Sequence, residues 1–84
     1  MDELLYSLKK QIIEALNLEE MTPEDIKDDA LLFEEVGLDS IDVLELIVML
    51  EKKYGIELEG PAEAKKIFAS VRTMAEYVKQ NRKK

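Results

Sequence analysis

Hydroxyl and carboxylate side chains are the groups in this sequence whose types and spacing could take part in chemistry. The chain has no cysteine and no histidine, so it lacks thiol nucleophiles, imidazole bases and the usual nitrogen or sulfur metal ligands. Nothing in the spacing of its 19 acidic residues places a nucleophile beside a base. We therefore expect no metal site and no catalytic residues, and a small enzyme is the least favoured function.

Ser40 is the hydroxyl with the most distinctive surroundings, because it follows Gly37-Leu38-Asp39 and precedes an apolar-periodic stretch. Serine is common at helix starts, where its oxygen satisfies backbone N–H groups, and this structural role explains most such serines. The alternative is a covalent attachment point. A phosphodiester at this position would lie at a helix N-terminus, which favours negative charge. Asp39 and Asp42 would oppose the added anion, so the segment favours an exposed tethered phosphate over a tightly bound free one.

The elements that must position Ser40 begin with one helix and a long connection. Apolar spacing predicts the first helix from Asp2 to Leu16. The connection from about Asn17 to Asp39 contains one short helical turn at Thr22-Pro23-Glu24-Asp25. Connections of this length are unusual and often functional. We expect the connection to be anchored on the core by apolar residues, namely Ile26, Leu31, Leu32, Phe33 and Val36.

Three more helices are predicted after the connection. Asp39 and Asp42 have the spacing of a capping box at the start of a helix from Ser40 to Tyr54. A short third helix is expected over residues 62–68, and Ser70 or Thr73 caps the last helix, with a capping-box spacing from Thr73 to Glu76. The predicted fold class is all-α: a four-helix bundle with three main helices, a short third helix and a long loop between helices 1 and 2, as a single domain over residues 1–84.

The predicted second helix is apolar on two sides, at about 100° of rotation per residue. The second arc lies more than a quarter turn from the first, and it either packs under the long loop or forms an exposed docking patch among acidic residues. The sequence leaves both alternatives open. The first arc, expected to face the core, contains Val43, Leu46, Ile47, Leu50 and Tyr54; the second contains Ile41, Leu44 and Val48, beside Glu45.

The net charge of −7 is unevenly distributed. Residues 1–60 hold 17 acidic and 5 basic side chains, whereas residues 61–84 hold 2 acidic and 7 basic ones. Such an acidic body repels nucleic acid and anionic membranes and favours basic partners. The basic end, with Lys79, Arg82, Lys83 and Lys84, is interpreted as a helix C-terminus in preference to a nucleic-acid tail. With no membrane-length apolar run and no secretory pattern, we expect a cytoplasmic protein without stable membrane insertion.

The ten residues from Gly37 to Leu46, GLDSIDVLEL, resemble the G-[LA]-D-S-[LI]-D-x-[VL]-E-[LI] signature of acyl carrier proteins, members of the phosphopantetheine-binding carrier family. The similarity covers nearly the whole chain. It includes the leucine-rich first helix, the long first loop, Phe33-Glu34-Glu35 before the signature, and the closing Glu76-Tyr77-Val78. The resemblance outweighs a purely structural role for Ser40.

The resemblance implies that a phosphopantetheinyl transferase attaches 4′-phosphopantetheine from coenzyme A to Ser40, and that Asp39 belongs to the transferase recognition site. The thiol of the arm would explain why the protein needs no cysteine of its own. It further implies a non-enzymatic carrier that holds acyl chains as thioesters and delivers them to enzymes of fatty acid, lipid or polyketide biosynthesis.

The resemblance also implies surfaces on and beneath the second helix. The expected partners are the transferase and basic-surfaced acyl-transfer and synthase enzymes, and the protein is expected to be a monomer. The implied partner-binding residues are Ile41, Asp42, Leu44, Glu45, Val48 and Glu51. The candidates for lining an acyl pocket between the helices are Phe33, Leu46, Ile47, Leu50 and Ile67.

One departure concerns Lys52 and Lys53, which follow Glu51 where typical fatty-acid-synthesis carriers continue with acids. They dilute the negative face of the helix and indicate a dedicated carrier for a specialised pathway, such as lipid A acylation, a polyketide or another secondary lipid. The alternative functions are a peptidyl or aminoacyl carrier domain, and an acidic helical adaptor without a prosthetic group.

Overall fold

The computed structural model describes residues 2–83, so Met1 and Lys84, the last residue of the basic end, lie outside it. Over the described residues the protein is all-helical, which confirms the predicted helical bundle with its short third helix. No helix in this range is long and apolar enough to cross a membrane. The α-helices are α1 (Asp2–Ala15), α2 (Ser40–Tyr54), α3 (Pro61–Ile67) and α4 (Val71–Asn81); the connection from α1 to α2 contains a 3₁₀ turn (Pro23–Asp25) and a π turn (Leu32–Val36).

The core forms because each helix buries one apolar stripe. On α1, Leu5, Leu8 and Ile12 recur at helical spacing and are buried. α1 packs against α2 and α4, while α3 packs against the same two helices. Phe68, which follows α3, is fully buried. Burial of a side chain of this kind contributes about 1.5–3 kcal/mol, so the stripes hold the bundle together.

The ends of the helices follow from local chemistry. Gly55 ends α2 in the left-handed region, with φ of 68°, and donates its N–H to the carbonyl of Glu51 at 3.0 Å. At α4, the hydroxyl oxygen of Ser70 accepts the N–H of Thr73 at 3.1 Å. Ser70 is therefore the cap. The predicted capping box from Thr73 to Glu76 is wrong, because Thr73 already lies in the first turn of α4.

The short turn in the connection forms as predicted. Thr22 precedes it and donates its N–H to the carboxylate of Asp25 at 2.8 Å. Ile26 and Leu32 are fully buried and anchor the connection on the core. Leu31 was expected to be an anchor as well, but it is 50% exposed. The backbone N–H of Leu31 donates to the carboxylate of Glu35, just before the π turn begins. The neighbouring residue, Leu32, is buried in its place.

The connection is also tied down by ion pairs to α1 and α4. Lys9 Nζ donates to Asp28 Oδ1 at 2.6 Å, and Arg72 Nε donates to Asp29 Oδ1 at 2.7 Å. The backbone N–H of Arg72 also donates to the backbone carbonyl of Asp28 at 2.9 Å. The hydrogen bond from Lys9 holds the pKa of Asp28 below its ordinary value. The second half of the connection therefore reaches Ser40 from a fixed position.

Candidate functional site

The approach to Ser40 is shaped by a turn at Gly37. Its φ of 83° is in the left-handed region that favours glycine, and its N–H donates to the carbonyl of Leu32 at 3.0 Å. Leu38, the next residue, is buried and fixes the chain on the core. The chain therefore leaves the core at Asp39, and Ser40 follows on the outside.

Asp39 caps α2 as predicted. Its Oδ1 accepts the N–H of Asp42 at 2.9 Å, while Asp42 Oδ2 accepts the N–H of Asp39 at 3.2 Å. This reciprocal pair satisfies two backbone donors at the helix start. Because Asp39 is the cap and Ser40 is the first helical residue, the capping role that would have explained Ser40 belongs to its neighbour.

The surroundings of Ser40 fit a phosphopantetheine group. Ser40 is exposed, and a Cβ built on Gly37, three residues earlier, would meet nothing within 4 Å. A phosphodiester on the hydroxyl would lie at the first turn of a 15-residue helix, whose N–H groups lack intrahelical acceptors and favour negative charge. The carboxylates of Asp39 and Asp42 are already engaged with backbone N–H groups. The site suits a group held by a covalent bond and surrounded by solvent.

One face of α2 is an exposed apolar patch. Ile41, Leu44 and Val48 are 68%, 54% and 46% exposed, and together with Glu45 they line one shallow hollow. We call these four residues the α2 patch. The sequence left open whether this arc packs under the long loop. The exposure shows that this arc does not pack under the long loop, and exposed apolar side chains grouped in this way are typical of interaction sites.

Acidic side chains border the α2 patch. Asp39 and Glu51 are exposed, as is Glu45 within the patch, and Asp42 is half-buried. These carboxylates lie on the solvated face of a single helix, and no group of three or more possible metal ligands occurs together in residues 2–83. Negative charge beside exposed apolar side chains suits recognition of a basic surface.

The five candidates for an acyl pocket lie in or against one hydrophobic cluster. Leu46, Leu50 and Ile67 are buried in it, whereas Phe33 and Ile47 are partly buried and pack against it. Ile47 was expected to face the core fully. It is half-buried because it lies at the margin between the core arc and the α2 patch.

Two sets of contacts that position the site were not predicted. The pairs of Lys9 with Asp28 and of Arg72 with Asp29 join residues far apart in sequence, and such pairs leave no local pattern. At the far end of α2, the Tyr54 carbonyl accepts the N–H of Lys83 at 2.8 Å. That contact likewise depends on how α2 and α4 pack.

Comparisons with known proteins agree with this geometry. The chain matches the family described as "Phosphopantetheine attachment site" over residues 7–78, a range that contains Ser40 and the α2 patch. It is 37% identical to the acyl carrier protein of Wolinella succinogenes, over 89% of this chain and 92% of that protein. It is 39% identical to that of a Sulfurovum species, over 73% and 79% of the two chains, and 33% identical to that of Campylobacter hominis, over 90% of each. The chain belongs to the acyl carrier protein family, whose members hold 4′-phosphopantetheine covalently and act as carriers, not as enzymes.

Proposed function

We propose that Ser40 is the residue that carries the phosphopantetheine arm, that Asp39 is part of the site the transferase recognises, and that the protein delivers acyl groups to enzymes of fatty acid, lipid or polyketide biosynthesis. The arm supplies a terminal thiol on which acyl groups are held as thioesters. The observation that carries the proposal is the exposed Ser40 hydroxyl beside an aspartate that already caps the helix.

The chemistry of attachment needs little from this chain. The Ser40 oxygen attacks the pantetheine-bearing phosphorus of coenzyme A in the transferase, the bond from that phosphorus to the bridging oxygen breaks, and adenosine 3′,5′-bisphosphate leaves. The Ser40 proton goes to a base on the transferase, because the chain has no histidine and its first-turn acids are held by backbone N–H groups. What this chain supplies is position: Gly37 and the buried Leu38 fix the backbone before Ser40, so the hydroxyl is presented without rearrangement.

The partner-binding face in this proposal is α2. The apolar side chains of the α2 patch provide area to bury, and the acidic residues around it attract lysine and arginine on transferases, acyl-transfer enzymes and synthases. The partner-facing residues are Ile41, Asp42, Leu44, Glu45, Val48 and Glu51. Asp42 contributes charge to this face while it completes the helix cap.

The acyl chain is proposed to lie against the hydrophobic cluster between the helices, with Phe33, Leu46, Ile47, Leu50 and Ile67 as its neighbours. Phe33 and Ile47 are partly exposed, so they stand at the boundary through which a chain would enter. Phe33 belongs to the π turn, Leu32–Val36. We further propose that residues 1–84 form one carrier domain that works as a cytoplasmic monomer without inserting into membranes or binding nucleic acid.

The experiment that tests this function is transfer from coenzyme A. The apo protein is incubated with coenzyme A and a broad-specificity phosphopantetheinyl transferase, and its intact mass is measured. The chain has three serines, Ser7, Ser40 and Ser70. We expect wild type and Ser7→Ala to gain about 340 Da, the mass of the phosphopantetheine group, and Ser40→Ala to gain nothing. A mass gain in Ser40→Ala would contradict the proposal, as would an unmodified wild type beside a modified control carrier.

A further inference from the structure

Lys52 lies on the same line of α2 as the α2 patch. It follows Val48 by one turn and Ile41 by three turns, and at about 100° per residue its direction falls within about 20° of that of Ile41. Lys52 is exposed, as are the four residues of the patch. The face of α2 that carries the patch therefore ends, toward the C-terminus of the helix, in the positive charge of Lys52.

Lys53 carries the same charge but points elsewhere. It lines a separate hollow with Ser7, Lys10, Gln11 and Glu14, on the side of α2 that faces α1. The two lysines are neighbours in sequence and both belong to the last turn of α2. Only Lys52 can thus meet a partner seated on the α2 patch.

The charge along this line changes sign from one end to the other. Near Ser40, Glu45 lies on this line, about 40° from Ile41, whereas Asp42 lies about 100° from Ile41 on the flank of α2 and Asp39 precedes the helix as its cap. The C-terminal end of this line carries Lys52. Glu51 lies beside it, in a direction within about 20° of that of Leu44. At 1.5 Å per residue, Lys52 is about 18 Å along the helix from Ser40. A partner that covers the length of α2 therefore encounters both signs of charge.

We propose that Lys52 is a specificity-determining residue of the docking surface. The partner it fits is an enzyme whose surface places lysine or arginine opposite Glu45, and a carboxylate opposite Lys52. This inference rests on the proposed use of α2 for docking and adds to it the chemistry of the partner at the far turn. A partner with cations along the whole length of the helix is disfavoured.

The physical reason is that specificity arises from repulsion of wrong partners as much as from attraction of right ones. Like charges brought together at an interface oppose binding, whereas a complementary pair at the rim mainly changes the association rate and its dependence on salt. Lys52 adds nothing to the phosphopantetheine site itself. Its effect is confined to which enzyme surface can lie on the α2 patch.

The test compares two charge reversals in the full-length apo protein, Lys52→Glu and Lys53→Glu. Both change the net charge equally and both remove a cation from the last turn of α2, and thermal unfolding of each variant measures any cost to the helix. The probe is a phosphopantetheinyl transferase chosen for a carrier-binding groove with lysine or arginine facing that turn. The rate of modification by coenzyme A is measured as kcat/KM, at low salt and at 0.5 M NaCl, a concentration at which exposed charges are screened over about 4 Å.

We expect Lys52→Glu to raise kcat/KM about fivefold at low salt, the size of effect typical of reversing one exposed charge at an interface, and to lose most of this gain at high salt. Lys53→Glu should change it less than about twofold. A gain of equal size in both variants, or a gain at position 52 that is no larger than that at position 53, would overturn the inference. Failure of wild type to be modified at all would instead contradict the proposed function.

Discussion

The hydroxyl of Tyr54, the last residue of α2, donates a 2.8 Å hydrogen bond to Gln11 Oε1 on α1. The guanidinium of Arg82 lies over the same ring, 5.1 Å from its centroid, and Lys83 donates its N–H to the Tyr54 carbonyl. The C-terminal end of α2 is thus held by α1 and by the segment after α4. The opposite end, with Ser40, is left open to solvent.

Tyr54→Phe should destabilise the protein by about 1 kcal/mol, because it removes one partly buried hydrogen bond and leaves the ring in place. Urea unfolding of the two proteins measures the difference. Tyr6→Phe is the matched control, since Tyr6 is half exposed and contacts Lys10 through its ring. Equal stability of Tyr54→Phe and wild type would show that the tie to Gln11 does not hold α2.

Gly37→Ala should destabilise the protein by about 1–2 kcal/mol, the cost of a left-handed conformation at a residue with a Cβ. The cause is backbone strain alone, because the added Cβ meets no neighbour. Gly60→Ala serves as the control: Gly60 also faces open space, and its φ of 173° is ordinary extended backbone. Thermal unfolding of both variants measures the effect, and Gly37→Ala should have a lower Tm than Gly60→Ala.

Leu44→Ala and Leu46→Ala should separate docking from folding. Leu46 is fully buried, so its truncation should cost about 2–5 kcal/mol of stability. Leu44 is more than half exposed, so its truncation should change stability by less than about 0.5 kcal/mol while it lowers kcat/KM with a phosphopantetheinyl transferase. A large stability loss in Leu44→Ala would mean that the α2 patch belongs to the core.

Asp28 should make part of the stability depend on pH. Because the hydrogen bond from Lys9 lowers the pKa of Asp28 in the folded state, the folded protein resists protonation more than the unfolded chain does. The stabilisation is therefore complete above the ordinary pKa of 3.8 and is lost as the pH falls through the lower folded value. Urea midpoints from pH 6 to pH 3 for wild type and Asp28→Asn measure it. Their difference should shrink below about pH 4, and a difference that stays constant across this range would contradict the prediction.

Much of α2 could be predicted because its signals are local. Asp39 and Asp42 are three residues apart, and their capping box forms as expected. The exposure of Ile41 and Leu44 could not be predicted, since an apolar arc can face either solvent or a covering loop. That choice depends on where the connection lies, and the connection is held by long-range pairs.

The parts that sequence patterns missed share this cause. Arg72 reaches Asp29 across 43 positions of the chain, and no spacing rule relates two such residues. The π turn at Leu32–Val36 has no distinctive sequence pattern, and it turned Leu31 outward where an apolar anchor was expected. Thr73 and Glu76 had the spacing of a capping box, but Ser70 had already capped α4.

The most direct test of the central claim is the intact mass of the protein purified from its own host, followed by mapping of the peptide that contains Ser40. The account predicts a mass at least about 340 Da above that of the bare chain, located on Ser40, with further mass where an acyl group is attached. A chain that is always unmodified at Ser40, or that carries the added mass on another residue, would contradict it.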